Sequence, residues 1–198
     1  MHIPFCGYRC HYCACNVTLA GRPDVADDYL DRLEREIDLV TEILGRERRP
    51  LQRHLGGGTP NFLTPAQFSR LSQMLESHFA FGPEAEHSLE ADPRLVTREQ
   101  LARLRDLCYR RISFGVQGFD PAVQAAIGRP QPEEVVREAV ELARATGFEG
   151  STSTWCTASR NRPWPTSSPL SGRPSRFTPT GSPATATPTC LGFGTTSG

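Results

Sequence analysis

Along the first 150 residues, runs of alternating apolar positions take turns with stripes of helical period. Residues 24–44 place Tyr29, Leu30, Leu33, Ile37, Leu39, Val40 and Ile43 on one stripe among acidic and arginine positions, which predicts an amphipathic helix. Residues 51–55 read as a strand running into Gly56-Gly57-Gly58. Thr64 caps a helix over 65–79 that has proline at its first position. A strand follows at 87–91, and Thr97 with Gln100 forms a capping box opening a short helix to 107. Residues 111–116 predict the next strand, the fourth when Ile3-Pro4-Phe5, too short to stand as a strand alone, is counted first, and 121–127 a short helix and 132–146 a longer one follow. Strand and helix in regular succession imply an α/β fold with parallel strands and crossover helices. Ligand-binding loops are then expected at the carboxyl ends of the strands.

The pattern stops at residue 150. All 22 acidic residues precede that point, against 18 arginines, so residues 1–150 carry a formal charge of −4. Residues 151–198 contain no Asp, Glu, His, Val, Ile or Met, and are rich in Ser, Thr, Pro and Gly. Two domains are therefore drawn: an ordered segment at 1–150 and a low-complexity tail at 151–198. Over the whole chain the formal charge is zero, with no basic stripe, which argues against a nucleic-acid partner. No apolar run is long enough to span a bilayer and no secretory signal is visible, so a cytoplasmic protein with no membrane partner is expected. Seven cysteines could mean disulfides, but four crowd into ten residues, which points instead to metal chemistry.

Those four are Cys6, Cys10, Cys13 and Cys15, in CGYRCHYCAC. Three thiolates spaced C-x3-C-x2-C can hold three irons of a four-iron, four-sulfur cluster and leave the fourth iron open. Zinc prefers two separated pairs of ligands, so the compact loop suits it poorly. Gly56-Gly57-Gly58-Thr59-Pro60 follows a strand, where bare backbone can approach a ligand and its amides and carbonyls can bond it; the alternative is an ordinary tight turn. Glu90-Ala91-Asp92-Pro93-Arg94 offers a carboxylate for ribose hydroxyls, or merely a solvated strand end. Gln117 can both donate and accept, and Arg129 can grip a carboxylate unless it is a solvated helix flank.

Together these motifs resemble the radical S-adenosylmethionine (SAM) superfamily. HIPFC-x3-C-x-YC-x-CN, HLGGGTP, LEADPR, RRISFGVQGF and GRPQP are similar, in order and approximate spacing, to the oxygen-independent coproporphyrinogen III dehydrogenase family. The likeness covers nearly all of residues 2–150. It implies an incomplete TIM-like (β/α) barrel of about six strand–helix units with one open side. It also implies that Cys6, Cys10 and Cys13 ligate a [4Fe-4S] cluster, and that Tyr12, Gly57, Gly58, Thr59, Glu90, Gln117 and Arg129 line sites for two SAM molecules. The implied reaction belongs to haem biosynthesis. One electron from the cluster cleaves SAM, and the 5′-deoxyadenosyl radical takes a hydrogen from a propionate β-carbon of coproporphyrinogen III. Loss of carbon dioxide and a further electron leaves a vinyl group, giving protoporphyrinogen IX. An electron donor such as flavodoxin or ferredoxin and a monomeric state are implied as well. No side chain is assignable as a general acid or base. Cys15 favours the dehydrogenases, because the related haem chaperones usually carry an aromatic residue there; a haem chaperone is the competing reading.

The tail has a specific explanation. Triplets encoding VNVDLVYGLPKQ, read one base later, encode STSTWCTASRNR, the sequence of residues 151–162. Triplets encoding CYSYAHVPW similarly yield ATATPTCLG, residues 184–192. Both matches fall in one frame at the separation that the family requires, so the tail is expected to be translated out of frame and not to pack as a native domain. The original frame puts an aspartate at Thr154 and an alanine at Pro188, both lining the second SAM site in the family. The family's preceding tyrosine, last barrel strands and C-terminal domain are expected to be missing, with the barrel stopping after four strands and the chain itself inactive.

Overall fold

The computed structural model describes residues 1–45 and 48–154. Its main sheet has five strands, all parallel, in the order β1 (His2–Ile3), β4 (Gln52–Gly57), β5 (Glu86–Ala91), β6 (Arg111–Gly115) and β7 (Gly150–Thr154). A second parallel pair joins β2 (Phe5–Cys6) to β3 (Thr18–Leu19). Pro4 lies between β1 and β2. Having no N–H to donate, it ends one ladder while Thr18 donates to its carbonyl in the other. Helices α1 (Val25–Leu44), α2 (Pro65–His78), α3 (Arg98–Asp106), α4 (Pro121–Ala126) and α5 (Glu133–Ala145) complete the described fold. This is the α/β fold of parallel strands and crossover helices that the pattern predicts.

Alternation along the strands sorts the two faces. Leu55, Leu89, Ile112 and Phe114 point to the helix-covered side and are buried with Leu30, Phe68, Leu71, Leu101, Leu104 and Val136. His54, Ser88 and Glu90 take the intervening positions on the other face, where His54 Nδ1 lies 2.9 Å from Ser88 Oγ. The core thus seals one side of the sheet and leaves polar side chains on the other.

Several boundaries differ from the pattern for physical reasons. Gly56 and Gly57 belong to β4 itself, because Gly56 and Gly58 donate to Met1 O at 3.0 Å and Ile3 O at 2.8 Å. The capping box at Thr64 and Gln67 forms in both directions. At Thr97 only half forms: its hydroxyl accepts from Gln100 N at 3.2 Å, but the Gln100 amide turns inward to Asn61 O and Leu63 O, at 3.0 and 2.7 Å. The far end of the α1 stripe is not core. Leu39 is 62% and Ile43 84% exposed, because the buried line of α1 runs through Leu30, Ile37 and Thr41 and both residues sit two positions off it, on the opposite face.

The largest correction is β7. Residues 151–154 extend the sheet beside β6, with Ser153 in register with Phe114 and Thr154 with Gly115. The sheet therefore has a further strand beyond the four expected, and the division at residue 150 falls inside an element. Backbone ladder bonds do not depend on side-chain identity, and a Ser/Thr run satisfies them. The rest of the tail, including Pro188, lies outside the described residues.

Candidate active site

Every predicted site residue falls at the carboxyl end of the sheet or on the loop that crosses it. Cys6 closes β2, and its half-buried thiol shares a hydrogen bond with Thr59 Oγ1 at 3.2 Å, just past β4. Burial pushes the Cys6 thiol up; the Thr59 contact opposes this, while Cys13, Cys10 and Asp92 add to it. Cys10 is buried, and Cys13 N donates to Cys10 O at 3.1 Å, closing a tight turn. Cys15 is exposed, and its thiol is raised first by partial burial, then by the hydrogen bond it donates to Cys13 and by the charges of Cys13, Glu90 and Cys6. None of these four thiols is in a disulfide.

The loop is pinned from outside. His11 N donates to Ile127 O at 2.9 Å, and His11 Nδ1 lies 3.0 Å from Ala126 O, at the end of α4. Gly128, at φ 65°, has no room for a side chain there: a Cβ would stand 2.9 Å from His11 Nε2.

Arg129 follows, and it is buried rather than a solvated flank. Its Nε donates to Gln131 Oε1 at 3.0 Å, Nη2 to Gly115 O at 3.0 Å, and Nη1 to Tyr8 Oη at 3.3 Å and Cys10 Sγ at 3.6 Å. Nη2 also stands 3.2 Å from Asp92 Oδ2. Burial pulls the guanidinium down, but Asp92 and Cys10 hold it above its usual range. Gly115 makes this possible, since a Cβ would meet Gln117 Nε2 at 3.2 Å and Arg129 Nη2 at 3.4 Å. Gln117 itself takes φ 66°, a left-handed conformation uncommon outside glycine that turns the chain sharply after β6. Tyr12 lies near enough to Arg129 for the two charges to interact.

Gly57 and Gly58 have packing roles beside any ligand role. A Cβ on Gly58 would stand 2.8 Å from both Pro4 O and Phe5 O. The amides of Gly56 and Gly58 are taken by β1, so the expectation that these amides serve a ligand is corrected. Glu90 sits on the polar face, 3.8 Å from His54 Nε2 and half exposed, with its carboxylate beside Gly56.

Sequence reasoning missed Asp92, Tyr8, Arg94 and Gln131 as site members. Asp92 is buried and accepts from Arg94 N at 3.0 Å and Arg94 Nε at 2.9 Å, and from Tyr8 Oη at 3.2 Å. Burial pushes its carboxyl up, against the pull of Arg129 and the Arg94 amide. Arg94 is lowered to about 10, by burial and then by Arg129. The available signal was an Asp-Pro step closing a strand, where the side chain caps the turn Pro93–Leu95.

Among the described residues no three His, Cys, Asp or Glu side chains are arranged around a single metal ion. A cluster of several irons asks for something different, since each thiolate takes its own iron. Three thiols on one loop, with Cys10 and Cys13 close enough for their charges to act on Cys6 and with Cys10 accepting from a guanidinium, form a soft donor set suited to iron–sulfur chemistry.

The family profile of the radical SAM superfamily matches residues 1–157. The chain belongs to the radical SAM superfamily. Within it, the chain is 40% identical over 149 residues to the oxygen-independent coproporphyrinogen III oxidase of Helicobacter pylori strain J99, covering 75% of this chain and 33% of that protein. It is 42% identical over 150 residues to the Pseudomonas aeruginosa enzyme of the same name, covering 75% and 33%. A solved structure of Escherichia coli coproporphyrinogen III oxidase (HemN), described as a radical SAM enzyme, superposes with a TM-score of 0.73 at 40% identity, covering 78% of this chain and 35% of that one. The chain thus spans about a third of the length of the relatives it matches. Among the described residues of this radical SAM chain, no helix is long and apolar enough to cross a membrane.

Proposed function

We propose that residues 1–150 are the cluster- and cofactor-binding part of an oxygen-independent coproporphyrinogen III oxidase, which converts two propionates of coproporphyrinogen III to vinyl groups. The observation that carries this is the convergence of Cys6, Cys10, Cys13, Thr59, Gln117 and Arg129 at one end of the sheet, in a chain 40% identical to a solved enzyme of that name. Cys6, Cys10 and Cys13 hold a [4Fe-4S] cluster. Tyr12, Gly57, Gly58, Thr59, Glu90, Gln117 and Arg129 surround SAM. When bound, the cluster and SAM supply the electron and the organic radical that begin such a decarboxylation. The protein's part is to bind, orient and exclude water: Glu90 offers its half-exposed carboxylate to hydroxyls, and the buried Arg129 holds the cluster loop against β6. Cys15, exposed beside Cys13, is the family-discriminating thiol rather than a ligand. A flavodoxin or ferredoxin as donor, a monomer and a cytoplasmic setting complete the reading.

Residues 151–198 are read as out of frame. The relatives match over about the length that precedes the change in composition, which supports this. The 198-residue chain is therefore inactive. The test is anaerobic incubation with SAM, a reductant and coproporphyrinogen III, following vinyl product and 5′-deoxyadenosine. No product is expected from the chain as written, and product from a version with the frame restored after Gly150 and the family's flanking segments added. Vinyl product from the 198-residue chain overturns the inactive reading. A restored protein that binds haem but makes no vinyl group overturns the oxidase reading in favour of a haem chaperone.

A further inference from the structure

We infer that Asp92 is a positioning residue for the cluster loop: its carboxylate fixes Arg129 against Cys10 and offsets the guanidinium charge that Arg129 brings to that thiol. The inference rests on the cluster reading above and goes beyond it, to what sets the cluster's electrostatic surroundings.

Three side chains from separate parts of the chain meet at the Asp92 carboxylate, Asp92 itself among them. Asp92 leaves the end of β5, Tyr8 comes from the cluster loop, and Arg129 comes from the turn between α4 and α5. Tyr8 Oη and Arg129 Nη2 each reach Asp92 Oδ2 at 3.2 Å, and Asp92 is only 5% exposed. The carboxylate is held in turn by its own backbone. Asp92 N donates to Asn61 Oδ1 at 2.8 Å, and Asn61 Nδ2 donates back to Asp92 O at 2.9 Å. Arg94 closes the other side, with its guanidinium stacked over the Tyr8 ring 4.4 Å from the centroid. A network bonded on every side in a buried place is rigid, and it transmits the position of β5 to Cys10 through Arg129.

Charge gives the second consequence. Arg94 and Arg129 are near enough to repel one another, and Asp92 stands between them. Removing the carboxylate leaves the Arg129 charge uncompensated beside Cys10, with the Arg94 charge also unpaired next to it. Positive charge favours the reduced, more negative cluster, so the reduction potential rises. Removing Arg129 does the opposite, and also takes away the hydrogen bond to the Cys10 sulfur.

The experiment is anaerobic reconstitution of the full 198-residue chain, with iron and sulfide counted and the cluster potential measured by dye-mediated titration followed by electron paramagnetic resonance. Asp92→Asn is expected to shift the potential to more positive values, Arg129→Gln to more negative values, and the remote surface variant Glu86→Gln not at all. A merely structural role for Asp92 lowers cluster occupancy without this opposite pair of shifts. Shifts of one sign in both variants, or none in either, overturn the inference. Should Asp92→Asn fail to fold, Arg129→Gln decides alone, and an unchanged or raised potential overturns it. A wild-type chain that takes up no four-iron cluster defeats the cluster reading itself, an outcome distinct from any of these.

Discussion

Arg53 and His87 stand at paired positions of neighbouring strands, with Arg53 Nη2 2.7 Å from His87 Nδ1, and both are buried. Arg53 also donates to Leu107 O at 2.9 Å and lies over the Tyr109 ring, 4.7 Å from its centroid. This pair sits at the amino end of the sheet, away from the cysteine loop, where side chains ordinarily serve stability rather than chemistry.

The pair predicts a dependence of stability on pH. Burial first, and then the Arg53 charge, push the His87 imidazole down to about 4 from its ordinary 6.5. The folded state thus binds fewer protons than the unfolded chain between those values. The contribution of His87 is complete above about pH 6.5 and is lost as pH falls through about 4. Urea unfolding at half-unit steps from pH 7 to 4 should show a steeper loss for the wild type than for His87→Gln. Parallel curves would refute the assignment.

Gly58→Ala is expected to destabilise the fold by roughly 1–3 kcal/mol, the usual cost of overpacking. The added methyl meets the Pro4 and Phe5 carbonyls, which are backbone and cannot swing aside. Because Cys6 follows Phe5 directly, iron uptake after reconstitution should fall as well. Unfolding in urea and iron analysis measure the two effects on the same sample.

Cys6→Ala, Cys10→Ala and Cys13→Ala should each abolish the four-iron cluster, while Cys15→Ala leaves about four irons per chain. The contrast reflects position, Cys15 being the exposed thiol. A cluster that survives loss of Cys13 but not of Cys15 would reverse the ligand assignment.

Gln100→Ala should cost more stability than Thr97→Ala. The threonine accepts one capping bond, with a usual worth of about 1 kcal/mol. The Gln100 amide ties down Asn61 O and Leu63 O in a buried place, and Asn61 in turn holds Asp92. Losing it strands two carbonyls, each at about 1–3 kcal/mol. Chemical unfolding of the two variants side by side gives the ranking.

Residue order alone determined the succession of strands and helices from Val25 to Ala145, the parallel sense of the sheet and the cysteine loop. Each depends on local periodicity, capping residues or ligand spacing, all of which are written in consecutive positions. The sequence also placed Gln117 and Arg129 among the site residues through a family likeness. Tertiary structure decided the rest. Which of Glu90 and Asp92 is buried depends on how the chain turns at Pro93. That Gln100 leaves its capping box depends on the Asn61 and Leu63 carbonyls 39 and 37 residues away. The strand at Gly150–Thr154 owes its place to the open edge of β6, and not to any pattern of its own. Arg129 reads as a solvated flank or a carboxylate grip until Cys10, 119 residues earlier, is folded against it. Bonds between distant residues leave no period in the sequence, because their spacing is set by the path of the whole chain.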